Sequence, residues 1–163
     1  MTSSSAWLPE FEQEMKNTRR ALERVPWGEA DFRPHERSMS LGQLALHLVE
    51  ITSWVVVMFE KEELDFASYV APDPVGSTEE LVQRFDAQVA RGREVLQGAS
   101  EDSWLLPWTL RSGEHRIFTL PRTLALRSFV LSHLIHHRGQ LTVYFRLLGV
   151  PVPALYGPSA DEA

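Results

Sequence analysis

His133 and His137 stand four residues apart in LSHLIHHRGQL, residues 131–141, inside an uninterrupted helical pattern. At about 100° per residue their side chains share one helix face, about one turn apart, which is the spacing at which two imidazoles can converge on a single metal ion. Such a site needs a third ligand. His47 in LGQLALHLVEITSW is the candidate, because it too is embedded in a strongly apolar helical segment. A lone histidine in such a segment is ordinarily a hydrogen-bonded core residue, and His47 taken alone supports that reading. Beside the pair, one shared ion satisfies three polar rings at lower cost than three separate buried partners would. His136 also follows His133 closely, but Val130, His133, His137, Gln140, Tyr144 and Leu147 form the alternating three-and-four seam, and His136 falls beside it.

Three neutral imidazoles leave the ion its full positive charge and an open position, the arrangement of a catalytic rather than a closed structural site. Such an ion acidifies bound water or holds a thiolate, and so generates a nucleophile at neutral pH. Glu50, one turn after His47, is the candidate catalytic residue, as a base or as a partner that orients a ligand; the ordinary reading of a helical glutamate is a solvated surface group. Gln140 is placed to hydrogen-bond a substrate or a neighbouring helix. Arg138 reads as a structural ion-pair or capping residue, and Tyr144 as a core aromatic with its hydroxyl satisfied. Trp54 and Trp104 either line a pocket or pack in the core. His35 and His115 fall in loop and hairpin segments and read as surface residues.

The elements that must position these groups are mainly helical. One helix is predicted from about Leu8 to Val25, with Phe11, Met15, Leu22 and Val25 as its apolar stripe, and the serines before it read as a frayed terminus. A second, apolar almost all round, opens at the N-cap Ser40 and runs to about Glu63. After the linker APDPVGS, Ser77 with Glu80 predicts a capping box that opens a third helix carrying Leu81, Phe85, Val89 and Leu96. PWTLRSGEHRIFTL changes period and predicts either a short hairpin about Ser112-Gly113 or a compact loop. A fourth helix starts at Pro121 and ends at Leu148, before Gly149 and Pro151. The expected fold is an all-α four-helix bundle with a short hairpin or loop insertion before the last long helix, forming a single domain over residues 1–163.

Composition narrows the function classes. The chain has no cysteine, which excludes disulfides, zinc–thiolate sites and a protein thiol nucleophile, and suits a cytoplasmic location. A net charge of −6, with no cluster of basic and aromatic residues, argues against nucleic acid as a partner. No signal-peptide pattern opens the chain, and the apolar run from Ile51 to Phe59, bracketed by Glu50 and Glu60, falls short of the roughly 20 residues expected of a membrane span.

The segments RALERVPWGEADFRPHERSMSLGQLALHL and LSHLIHHRGQLTVYFRLLGVPVPALYGPSADE together resemble the DinB/YfiT-like family of bacterial proteins over nearly the whole chain. That resemblance implies a four-helix bundle holding one divalent metal per chain, commonly nickel or zinc, with ligands at the positions of His47, His133 and His137. It implies a homodimer, and a metal-dependent enzyme that transfers a small bacterial thiol, as co-substrate, to an electrophile while the metal activates the thiolate. The alternatives are a hydrolase using metal-bound hydroxide and a noncatalytic metal-binding or small-ligand-binding protein of the stress response. The motif fixes the metal more firmly than the reaction, because function resides in the surroundings of a site rather than in its fold.

Overall fold

The computed structural model describes residues 3–163. Four long helices are α1 (Ser3–Leu22), α2 (Leu41–Glu60), α3 (Thr78–Gly98) and α6 (Ser132–Leu147). α2 packs against both α3 and α6, and α1 touches the same two, so the four surround one core. The short α4 (Glu101–Leu105) and α5 (Arg122–Ala125) lie before the last helix. α1 begins earlier than its apolar stripe implies: the helix runs back through Pro9 to Ser3, and the Ser4 hydroxyl donates to the Leu96 carbonyl at 2.9 Å. Ser4 is therefore not part of a frayed end, whereas Met1 and Thr2 lie outside the described residues.

α2 starts where its cap dictates. Ser40 Oγ accepts from Gln43 N at 3.2 Å, and the Gln43 side chain accepts from Ser40 N at 2.9 Å, a reciprocal pair that satisfies two end donors. At α3 only half of the predicted capping box forms. Ser77 Oγ accepts from Glu80 N, but the Glu80 carboxylate accepts from Gly76 N instead of from the cap residue. α2 is also long and apolar enough to cross a membrane, yet 67% of its most apolar stretch is buried in the bundle, where Leu44, Leu48, Ile51, Val55 and Met58 supply the centre of the core. Gly92 on α3 lets Phe11 approach closely, since a Cβ there would stand 3.0 Å from the Phe11 ring.

The expectation of an all-α fold is wrong. A three-stranded mixed sheet packs against α2 and α5, in the order β1 (Glu63–Asp65), β2 (Pro107–Ser112), β3 (His115–Pro121). The antiparallel β2–β3 hairpin turns at Gly113, whose φ of +58° suits glycine. β1, which pairs with β2 in parallel, carries no readable alternation because it has only three residues, of which Leu64 alone is buried. Trp108 and Leu110 turn inward from β2, so the sheet forms part of the core rather than an appendage. Arg122 joins this layer to the bundle: its guanidinium donates to the carbonyls of Met58 at 2.8 Å and Ser103 at 3.2 Å.

The predicted last helix is one continuous rod from Arg122 to Leu147, but its pitch changes midway. Residues Leu126–Leu131 form a π-helical stretch, which ends where Ser132 N donates to Arg127 O, five residues back. Such widened turns re-aim side chains on either side of them, and they recur at functional sites. Here the stretch ends two residues before His133.

Candidate metal centre

His47 from α2 and His133 and His137 from α6 come together at the edge of the core. Each offers one ring nitrogen, and these atoms all lie within 4.8 Å of one another. The Nε2 atoms of His133 and His137 are 2.8 Å apart, and the His47 ring centroid lies 5.2 Å and 4.9 Å from theirs.

The opposite nitrogen of each ring decides what this convergence means. His47 Nδ1 meets Glu50 Oε2 at 2.5 Å, and His137 Nδ1 meets Gln140 Oε1 at 2.7 Å. The remaining nitrogen of His133 bonds the backbone of Phe129, one turn earlier. A carboxylate, an amide oxygen and a backbone carbonyl all accept, so each outer nitrogen carries the proton and each inner nitrogen presents a lone pair. Lone pairs facing one another at 2.8 Å repel unless a cation or a proton lies between them. Protons are disfavoured: burial, reinforced by the charges of His137 and His47, pushes His133 down to about 4. Burial also lowers His137, against the hydrogen bond to Gln140. The residues therefore fit a divalent metal, which satisfies neutral imidazoles without adding a proton.

Around this group the side chains sort by role. Burial tends to raise the Glu50 carboxyl, but hydrogen bonds from His47 and from the Tyr69 hydroxyl outweigh it and hold the group below its ordinary range. Tyr69 itself is pushed up to about 12, chiefly by burial, with the nearby Trp54 indole N–H opposing. Trp54 Nε1 points toward that hydroxyl but falls short of full hydrogen-bond geometry. The Trp54 ring stacks on Phe129 at 4.7 Å and 8°, and lies 5.8 Å from His47 and 5.7 Å from His133. Phe66 and Tyr69 extend this aromatic wall from the segment after β1.

The residues singled out from sequence divide accordingly. Gln140 is a partner of His137, exposed and hydrogen-bonded to the ring rather than free for a substrate. His136 is exposed and lies edge-on to His137 at 4.9 Å, outside the group of three. The helical seam drawn through the histidines fails at Leu147, which is 58% exposed, because the buried stripe of α6 instead runs through Leu134, Arg138, Leu141 and Phe145. This offset places His133 and His137 at the margin of the core, where a ligand can reach them. Arg138 is buried and bonds Glu14 Oε2 at 2.6 Å, and the Tyr144 hydroxyl donates to Met39 O at 3.0 Å. Trp104 packs on Phe59 in the core. His35 and His115 are exposed, on a loop and on β3. Phe66, Tyr69 and Phe129 were not anticipated. Phe129, one turn before His133, shows the only sequence signal among them; Phe66 and Tyr69 sit in an irregular segment without periodicity.

Comparison with known proteins places the whole chain in one group. The family model described as "DinB family" matches residues 1–163. An uncharacterised Bacillus subtilis protein, YrdA, is 26% identical over 129 residues, covering 77% of this chain and 71% of its own. The crystal structure of a DinB-like protein from Bacillus cereus superposes with a TM-score of 0.69 at 20% identity, over 93% of this chain and 97% of that one. A second DinB-like structure, from Bacillus subtilis, gives 0.68 at 16% identity, over 93% and 94%. At these identities the two structures establish the fold alone.

Proposed function

The chain belongs to the DinB family, and on that premise we propose that it is a metal-dependent enzyme that transfers a small thiol to an electrophile. One divalent ion, nickel or zinc, is held by His47, His133 and His137, and the observation that carries this reading is the convergence of three lone-pair nitrogens whose opposite nitrogens are all tied to acceptors. When bound, such an ion supplies Lewis acidity that favours the thiolate form of a thiol at neutral pH. Glu50 keeps His47 in the required tautomer and orientation, and Gln140 and the Phe129 carbonyl do the same for His137 and His133. Trp54 and Phe129 exclude water from one side of the group.

Thiol transfer is favoured over hydrolysis by the state of Glu50. Breaking an amide requires an acid to protonate the leaving nitrogen, and the nearest carboxylate is already engaged by His47 and Tyr69. Displacement by a thiolate of a group that leaves as a stable anion needs no such acid: a C–S bond forms as the bond to the leaving group breaks, and the proton of the thiol passes to solvent. The chain has no cysteine, so the sulfur must come from a small molecule. The test is an assay of zinc-loaded and nickel-loaded protein with an electrophile, with and without added small thiols, alongside His137→Ala. Thiol-dependent consumption of the electrophile that the substitution abolishes is expected. Thiol-independent ester or amide cleavage, lost in the same variant, would establish the hydrolase instead, and inactivity in every arm would favour a binding protein.

A further inference from the structure

Among the described residues only Arg33, Arg37, Arg116 and Arg122 form no ion pair, while every other arginine meets a carboxylate. Arg116 and Arg122 line one pocket of about 450 Å³. It opens on the outer face of the sheet: Trp108 and Leu110 turn inward from β2, so Thr109 turns outward with Glu63 and Thr119, its partners on β1 and β3. Arg122 is 7% exposed, and its guanidinium meets only the backbone carbonyls of Met58, Ser103 and Lys61, beside the Phe59 ring. Those bonds use three of the five N–H groups that a guanidinium carries. The Thr109 and Thr119 hydroxyls bond each other at 2.8 Å, which leaves one hydroxyl hydrogen to donate elsewhere. Glu63 is spent on Arg111 at 2.6 Å. Glu62, the other carboxylate of the lining, forms no ion pair, so it and Arg116 stand beyond pairing distance of each other.

A pocket that keeps one unpaired carboxylate apart from two guanidinium groups selects by charge. A simple anion would reach the arginines but lie near Glu62, and a simple cation would meet the reverse. A molecule that carries both charges satisfies both ends. A carboxylate matches the planar guanidinium fork, and an ammonium matches Glu62. Leu106, 49% exposed, and Pro107 add an apolar wall. We infer that this pocket binds a zwitterionic α-amino acid with an apolar side chain, its carboxylate on Arg116 and Arg122 and its ammonium on Glu62. The volume lies within the range of small-molecule pockets and accommodates one such molecule. No residue of this lining belongs to the histidine group, so the inference stands apart from the proposed metal chemistry.

The experiment compares L-leucine with N-acetyl-L-leucine, which lacks the ammonium, and L-leucinamide, which lacks the carboxylate. Binding to the full-length, metal-free chain is measured by calorimetry, so that chelation of an ion by the amino acid adds no heat. L-Leucine is expected to bind at least about tenfold more tightly than either analogue. Arg116→Gln, at an exposed position, should weaken L-leucine binding by about tenfold or more. Glu62→Gln, also exposed, should narrow the lead of L-leucine over N-acetyl-L-leucine by roughly fivefold or more. The inference is overturned by an absence of L-leucine binding at millimolar concentration, by an analogue that binds as tightly, or by an L-leucine affinity that both substitutions leave unchanged.

Discussion

Two neighbouring residues of α6, His137 and Arg138, open onto two polar clusters that are built on opposite terms. Arg138, 1% exposed, donates to Glu14 Oε2 at 2.6 Å, Glu14 O at 2.9 Å and Thr18 Oγ1 at 3.0 Å, and also to Tyr156. Tyr156 in turn donates to Glu14 at 2.7 Å. Here charge meets charge and donors meet acceptors. One residue away, the histidine group is complete only on its outer side, and its inner nitrogens face one another. A buried polar cluster that closes on itself holds helices in place, whereas one left open toward a common point has nitrogens to spare for a ligand.

The contrast is sharpest under substitution. Arg138→Ala strands Glu14 in the core and should cost about 3–5 kcal/mol, measured by urea unfolding of metal-free protein. A loss under about 1 kcal/mol would show that the Arg138 cluster is not the structural member of the pair. His133→Ala should do the reverse. Metal affinity should fall by more than about a hundredfold, beyond what the loss of an outer partner causes, while metal-free stability holds or rises as the facing lone pairs are relieved. Competition against a chromophoric chelator reads the first quantity and urea unfolding the second.

Smaller effects probe the outer shell of the open cluster. Glu50→Ala releases His47 Nδ1 and should weaken metal binding by about 10–100-fold without unfolding the protein. If affinity is unchanged but thiol transfer is lost, Glu50 acts on the substrate rather than on the ligand. The last expected effect, vanishing near neutral pH, is pH dependence in the metal-free protein. His133, held down to about 4 by burial and its neighbours, stays neutral in the fold while the unfolded chain takes up a proton near the ordinary 6.5. Its contribution to stability is therefore full above about pH 6.5 and declines as pH falls toward 4. Unfolding titrations of wild type and His133→Ala should differ in slope across that window and run parallel above it.

How far the sequence disclosed this arrangement depends on the range of each signal. Ser40 marked the start of α2 because a cap residue acts locally, and the structure adds Gln43, three residues on, as its reciprocal partner. His133 and His137 were legible as a pair through helical spacing, and their meeting with His47 through shared apolar surroundings. β1 was invisible, because three residues with one buried side chain carry no period and gain their meaning only from β2. The π-helical stretch at Leu126–Leu131 was equally hidden, because LRSFVL continues the helical pattern and carries no local signal that separates a five-residue from a four-residue backbone bond. Glu50 was weighed from spacing alone, as a base or as a partner that orients a ligand, and its 2.5 Å contact with His47 Nδ1 is the geometry of the second role. The part of its surroundings that spacing did not show is Tyr69, which comes from an irregular segment.

The parallel pairing of β1 with β2 bears on the order in which the molecule assembles. The two strands are separated by the whole of α3 and α4, so their ladder must wait until that intervening chain has been laid down. The helices and the β2–β3 hairpin close over short stretches and form early, but a parallel pairing meets the entropy of a long loop before it gains any bond. The segment carrying Phe66 and Tyr69 leaves directly from β1. The aromatic wall beside the histidines is therefore among the last parts of the molecule to form. A refolding chain would acquire its helical signal first, and the tight environment of Trp54 in a slower phase.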